Sequence, residues 1–318
     1  MRYCASDKAE IIQLVENSAL SVRQTLARLD IHKSTFYNWL QRYEENGIDG
    51  LEDKKPIPQA VWNKIAEEHC EAIIELALDK PDLSPRELAV HYTENKAYFV
   101  SESSVYRLLK EQDLITSPAY ILMQASDKFQ HPTTRVNEMW QTDLTYFKII
   151  GWDWYYLSTV LDDYSRYIIA WRLCTGMSSS NVSDTLDDAL SFTGLDEVKV
   201  KHKPRLLSDN GPCYISGELA EYLEENGMMH TRPYHPQTQG KIERWHRSMK
   251  NQMLLHKYYF PGELEEQLQG FVSYYNHERY HESLNNLTPA DVFYGRGQEI
   301  LNQRELIKQN TLAVRRQI

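Results

Sequence analysis

Three acids stand where an acid is conspicuous. Asp143 lies inside the run WQTDLTY, which is otherwise patterned as a strand. A carboxylate midway along an apolar strand is costly to bury without a partner, so it either faces solvent or has a task. Asp209 closes the strand-like run LLSDNGP, where Asn210-Gly211-Pro212 turns the chain sharply. Ligand sites in open α/β sheets lie beyond strand ends of this kind. Glu243 is the single acid of RPYHPQTQGKIERWHRSMK, a segment crowded with Arg, Lys and His. Two aspartates and a glutamate offer only oxygen, the donor that Mg²⁺ prefers, and two such ions can activate a water or hydroxyl and stabilise the leaving oxygen in a phosphoryl transfer.

Each acid also has a plainer reading. Glu243 and Arg247 are i,i+4 partners and could form a surface ion pair. Asp162 and Asp163 end a neighbouring strand and rival Asp143 as ligands, although hydrogen bonding to the following Ser165-Arg166 turn is the preferred reading for Asp163. Asp153 and Asp184 read as surface or cap residues. Ser208 and Asn210 flank Asp209 and are placed to orient it. Lys241, Arg244, Arg247 and Lys250, with His246, His235 and Gln237, are candidates to meet DNA phosphates near the site.

These side chains need a scaffold. MWQTDLTYFKII, WYYLSTVLDDYS and RYIIAWRL are three consecutive strand-like runs rich in β-branched and aromatic residues, the first two split by the turn GWD. A helix near 178–192, the strand PRLLSD, a helix near 216–226 and the short strand GMMHT follow. A last helix carries Ile242, Trp245, Met249 and Met253 as its buried stripe, with Glu243 one step off it. Strands followed by alternating helix and strand predict an α/β domain with a mixed sheet.

Ahead of this core the texture is helical. Residues 7–50 show three short helices, with Ser21 as an N-cap, Phe36, Trp39, Leu40 and Tyr43 on one face of the third, and Gly47 as its stop. A short turn before the last helix is a helix-turn-helix pattern. The outer face of that helix presents Lys33, Thr35, Tyr37, Asn38, Gln41 and Arg42, types that reach phosphates and base edges. After the polar linker LEDKKPIPQ, residues 60–112 offer a helix from Val61, a capping box at Ser84-Pro85-Arg86-Glu87 and the helix SESSVYRLLKEQ. This block is a second helix-turn-helix, with Ser103 and Arg107 as DNA contacts, or a spacer. The expected divisions are 1–52 and 60–112 for the helical units, 113–136 for a linker, 137–256 for the core and 257–318 for a helical extension.

Net charge is −10 over 318 residues, which taken alone argues against a nucleic-acid partner. Binding needs only a local basic face, and KVKHKPR at 199–205 shows that such clusters exist. The four cysteines are far apart, with no zinc spacing, and read as lone thiols. The sequence has no apolar run of about 18 residues and no signal-peptide block, so a cytoplasmic, nucleoid-associated bacterial protein without membrane contact is expected.

Taken together, WQTDLTY, VLDDYSRYIIAW, SDNGP and HPQTQGKIERWHRSMK resemble the catalytic core of DDE transposases of the IS3 and IS481 type, itself similar to retroviral integrase. YYNHERYHESLNNLTPADVF at 274–293 and the double helix-turn-helix front end resemble the same group. The resemblance implies an RNase H-like fold with the triad carried by Asp143, Asp209 and Glu243. It implies two Mg²⁺ or Mn²⁺ ions per site, terminal inverted repeats and target DNA as partners, no small-molecule substrate, and a dimer or higher multimer that pairs two DNA ends. Asp209 and Glu243 have 33 residues between them, slightly fewer than the family's customary spacing. The His/Cys front end of retroviral integrases is absent. The expectation is therefore a multidomain protein, an all-α helix-turn-helix region followed by an RNase H-like core. It would cut at transposon ends and join the 3′-OH to target DNA. A nuclease of the same fold that never joins, or an inactive DNA-binding regulator, are the rivals.

Overall fold

The computed structural model describes residues 4–18, 20–52, 63–115, 133–197, 203–209, 211–231 and 239–317. Asn210, His235 and Gln237 lie outside the described residues. The chain forms two compact units, residues 1–64 and residues 65–318.

The first unit holds α1 (Ala5–Glu16), α2 (Val22–Arg28) and α3 (Lys33–Asn46). Ile12, Val15, Leu26, Phe36, Trp39 and Leu51 close one small core. Gly47 ends α3 at φ 63°, a left-handed conformation that glycine adopts without a Cβ penalty. The short 3-10 turn Gly47–Leu51 that follows returns Leu51 to the core, where its carbonyl accepts from the Lys8 ammonium at 3.0 Å.

The second unit opens with α4 (Glu67–Asp79), α5 (Pro85–Lys96) and α6 (Glu102–Glu111). The helix expected from Val61 starts at Glu67. The capping box forms as the residue types dictate: Ser84 N donates to Glu87 Oε2 at 3.0 Å, and Glu87 N donates to Ser84 Oγ at 3.3 Å. Ile73, Leu88, Tyr92, Val105 and Leu109 form the core of these helices.

Strands β1 (Met139–Lys148), β2 (Trp154–Asp162) and β3 (Ile168–Cys174) make an antiparallel meander. Helix α7 (Ser179–Thr193) leads to β4 (Arg205–Leu207), which pairs parallel to β1. Helices α8 (Pro212–Ile215) and α9 (Gly217–Glu225) lead to β5 (His230–Thr231), parallel to β4. The sheet order is β3-β2-β1-β4-β5. This mixed sheet with β1 at its centre is the RNase H-like arrangement that the sequence led us to expect. The two-residue period of β1 sorts its side chains. Trp140 and Leu144 pack with Val182, Leu186 and Leu219 on one face. Phe147 and Ile149 pack on the other with Ile242, Trp245, Met249 and Leu268, from α10 (Gly240–Met253) and α11 (Pro261–His277).

Helices α12 (Pro289–Phe293) and α13 (Gly297–Arg315) complete the unit. Helix α13 returns to α5. Arg304 Nε donates to Glu94 at 2.8 Å, Phe99 N donates to Thr311 Oγ1 at 2.9 Å, and Arg315 Nη2 donates to Phe99 O at 2.7 Å. The α4–α6 block thus belongs to the same compact unit as the sheet and docks on the C-terminal helices.

Candidate active site

Asp143 sits on β1 beside the α10 face, half-buried. Its Oδ1 accepts from Leu144 N at 2.9 Å, and its Oδ2 lies 3.1 Å from His246 Nδ1 on α10. His246 is buried among the helix's apolar residues, and its Nε2 has no hydrogen-bond partner among the described residues. Sequence reasoning grouped His246 with the phosphate contacts; the fold turns it inward to the strand instead. Its position three residues after Glu243, hence on the same helical face, was the available signal.

Asp209 follows β4, half-buried, with Oδ1 accepting from Gly211 N at 2.9 Å. Gly211 allows this close approach, since an added Cβ would stand 2.9 Å from Asp209 Oδ1. Ser208 is buried; its hydroxyl donates to the Asp209 carbonyl at 3.1 Å and meets His230 Nε2 on β5 at 2.7 Å. It therefore holds the backbone of Asp209 and not its carboxylate. Asp143 and Asp209 act on the same two neighbours. Burial pushes the Cys213 thiol up, and both carboxylate charges add to it. Burial likewise pushes the Tyr214 phenol well above its usual range, with both charges adding again.

Glu243 is exposed in the first turn of α10, immediately after buried Ile242. It shares a face with His246, which reaches Asp143, so one helix joins the first and third acids of the sequence motif. Among the described residues, the three carboxylates make no hydrogen bond with one another. Among the described residues, no group of three or more His, Cys, Asp or Glu side chains is gathered closely enough to hold a metal. The donor chemistry, three carboxylates with oxygen only, fits a hard divalent cation such as Mg²⁺.

Lys241, a candidate DNA contact, is engaged within the fold: its ammonium donates to Asp163 Oδ2 and to Asp163 O, each at 2.8 Å, and its side chain is 15% exposed. One sequence expectation is corrected. The Ser165 turn is held by Asp162 and not by Asp163. Asp162 Oδ2 accepts from Ser165 N at 2.8 Å and Ser165 Oγ at 2.6 Å, and its Oδ1 accepts from Asn137 N at 2.8 Å. Burial, opposed by those hydrogen bonds, holds the Asp162 carboxyl above the ordinary range. Both acids are buried and engaged within the fold.

Arg247 is exposed and Arg244 half-buried on α10. Lys250 lies 4.6 Å over the ring of Tyr146. In the first unit, Lys33, Thr35, Tyr37 and Asn38 are exposed on α3, with the Lys33 ammonium 5.7 Å from the Tyr37 ring. Arg42 is half-buried and donates to Glu52 O, tying α3 to the end of the 3-10 turn. On α6, Ser103 and Arg107 are exposed, and Arg107 Nε donates to Ser103 O at 3.1 Å. No helix among the described residues is long and apolar enough to cross a membrane.

Comparison with known proteins agrees with this architecture. Residues 133–236 and 227–289 match integrase core domain families, and residues 5–52 and 35–109 match homeodomain-like domains. The chain is similar to the Intracisternal A-particle Pol-related polyprotein of Mouse intracisternal a-particle MIA14, 35% identical over 132 residues, covering 41% of this chain and 14% of that protein. It is 32% identical over 125 residues to the Gag-Pro-Pol polyprotein of Sheep pulmonary adenomatosis virus, covering 39% of this chain and 7% of that one. The chain thus spans a small part of these polyproteins. Among solved structures, the HTLV-2 integrase catalytic core domain in complex with magnesium is 21% identical, covering 50% of this chain and 97% of that one with a TM-score of 0.40. The simian T-cell lymphotropic virus intasome in complex with PP2A regulatory subunit B56 gamma is 20% identical, covering 70% of this chain and 74% of that one with a TM-score of 0.41.

Proposed function

We propose that this protein is a DDE-type DNA transposase that binds the terminal inverted repeats of an insertion sequence, cuts at its ends and joins the freed 3′-OH to target DNA. The observation that carries this reading is the contact between Asp143 Oδ2 and His246 Nδ1 at 3.1 Å, which ties the strand of the first acid to the helix that bears Glu243. Asp143, Asp209 and Glu243 would hold two Mg²⁺ or Mn²⁺ ions, which when bound supply charge stabilisation for the attacking and leaving oxygens.

The two steps balance without an outside energy source. In the first, water attacks the phosphorus at the transposon end. The P–O3′ bond breaks, leaving a 3′-OH on one side and a 5′-phosphate on the other. In the second, that 3′-OH attacks a phosphodiester of the target, forming one P–O bond and breaking another. The protein's part is to align these groups and to place cations beside the strand. Arg244, Arg247 and Lys250 would meet phosphates around the acids. Lys33, Thr35, Tyr37 and Asn38 of the first helical unit would bind the repeat, and Ser103 and Arg107 would serve the second. A dimer or higher multimer would bring two ends together.

The test uses purified protein and a labelled duplex of the element's inverted repeat, with and without Mg²⁺, resolved on a denaturing gel. Nicked and longer joined products, both lost without metal and in Glu243→Gln, are expected. Nicks without joining would favour a nuclease. A retarded but uncut duplex would leave a DNA-binding regulator.

A further inference from the structure

The start of α10 is fastened to the sheet by buried polar groups that take no part in the proposed chemistry. Asp163, at the end of β2 and 2% exposed, receives three side-chain donors. Its Oδ2 accepts from Thr133 Oγ1 at 2.6 Å and from Lys241 Nζ at 2.8 Å, and its Oδ1 accepts from Gln141 Nε2 at 2.7 Å. Gln141 is fully buried, and its Oε1 accepts from the backbone N of Ile242 at 3.1 Å. One chain of contacts therefore runs from β2 through β1 into the first turn of α10.

We propose that Asp163, Gln141 and Lys241 are positioning residues, a clamp that sets the start of α10 and so the placing of Glu243 relative to Asp143; the proposal rests on the assignment of those acids as metal ligands. Both ends of the clamp adjoin the acids it would place. Gln141 is two residues before Asp143 on β1, hence on the same face of the strand. Lys241 and Ile242 immediately precede Glu243 on α10. The N-cap of that helix, Gln239, makes no side-chain capping hydrogen bond. The first amides of a helix lack partners within it, and here an acceptor on the neighbouring strand takes the third. That bond fixes where α10 begins. A slip of one residue would carry Glu243 about 1.5 Å along the axis and roughly 100° around it. Reactive geometry tolerates about 0.5 Å.

Burial explains why the clamp needs every member. Lys241 neutralises a carboxylate that has almost no access to water, and Gln141 satisfies the other oxygen while turning its own carbonyl to the helix. Removing the lysine leaves a buried charge without a counter-charge, and the first turn of α10 is the part free to shift.

The full chain carrying Lys241→Met, Lys241→Arg or Gln141→Met tests this in three ways. Mn²⁺ alone is titrated and the bound ion followed by electron paramagnetic resonance, cleavage of a labelled terminal repeat is timed, and repeat binding is measured by gel retardation. Circular dichroism identifies the folded variants. Lys241→Met is expected to raise the Mn²⁺ midpoint about tenfold or more and to slow cleavage about 10- to 100-fold, with repeat binding unchanged. Lys241→Arg, which keeps the charge, should fall between it and the wild type. Folded variants with the wild-type Mn²⁺ midpoint would overturn the proposal, whatever their cleavage rate, since the role would then lie elsewhere. Should Lys241→Met fail to fold, Gln141→Met, which removes no charge, decides by the same midpoint. A wild-type protein that neither binds Mn²⁺ nor cuts would overturn the assignment of the acids, and the clamp with it. A wild type that does both beside indifferent variants would overturn the clamp alone.

Discussion

His246 Nδ1 stands 3.1 Å from Asp143 Oδ2, linking α10 to the strand that carries the first acid of the motif. His246 is 7% exposed, so its ring has little room to turn away. It holds one carboxylate oxygen while the backbone of Leu144 holds the other. His246→Leu fills the buried position with an apolar side chain and frees the carboxylate. Cleavage should slow about 10- to 100-fold, as when an outer partner of a ligating group is lost. Timed cleavage of a labelled terminal repeat, beside an unchanged gel-retardation curve, checks this.

The three acids should behave as a unit. Asp143→Asn, Asp209→Asn and Glu243→Gln are each expected to reduce cleavage at least about a thousandfold, with double variants little worse than single ones, because groups that act together are strongly non-additive. Binding to the repeat should persist in all three. An acid whose amide still cuts at a normal rate does not belong to the set.

The helical front end separates contact from support. Lys33→Ala removes an exposed cation, so affinity for the repeat should fall and the slope of log affinity against log salt should shrink by about one. Arg42→Ala removes the bond from α3 to Glu52 O. Its main effect should be a loss of about 1 kcal/mol of stability in the first unit. Salt-dependent retardation and thermal unfolding distinguish the two outcomes.

His281 makes the second unit sensitive to acid. Burial, with the Arg279, Arg166 and Arg86 charges adding, pushes its imidazole down to about 3. Its Nε2 is buried without a hydrogen-bond partner among the described residues, and its ring meets Tyr275 edge-on at 4.9 Å between centroids. In the unfolded chain the ring would titrate near about 6.5. Between those values the unfolded state binds the extra proton, so stability is whole above about pH 6.5 and declines as pH falls toward about 3. Thermal unfolding of His281→Phe and wild type from about pH 7 to about pH 4 should show the smaller loss in the variant.

How much of this was legible depended on whether the signal was local. The β-branched and aromatic content of MWQTDLTYFK placed β1, and the recurrence of Ile242, Trp245, Met249 and Met253 placed α10 with Glu243 at its rim. The capping box at Ser84 was readable from four adjacent residues. The exchange between Asp162 and Asp163 was not. Neighbouring residues of a strand face opposite ways, and the pattern does not say which acid turns to the loop. Lys241 looked like a DNA contact because its sequence neighbours are basic. Its partner Asp163 is 78 residues away, a distance over which no periodicity carries information. The docking of α5 on α13 was hidden for the same reason.

That docking bears on how the protein comes into being. Glu94 must wait for Arg304, 210 residues later in the chain. At a ribosomal pace of about 5–20 residues per second, the interval is roughly 10–40 s. During it the α4–α6 block has its own small core but not the helix that covers it, and the link from Arg315 to Phe99 spans 216 residues and forms later still. The α4–α6 block thus completes its packing long after its own residues have been made.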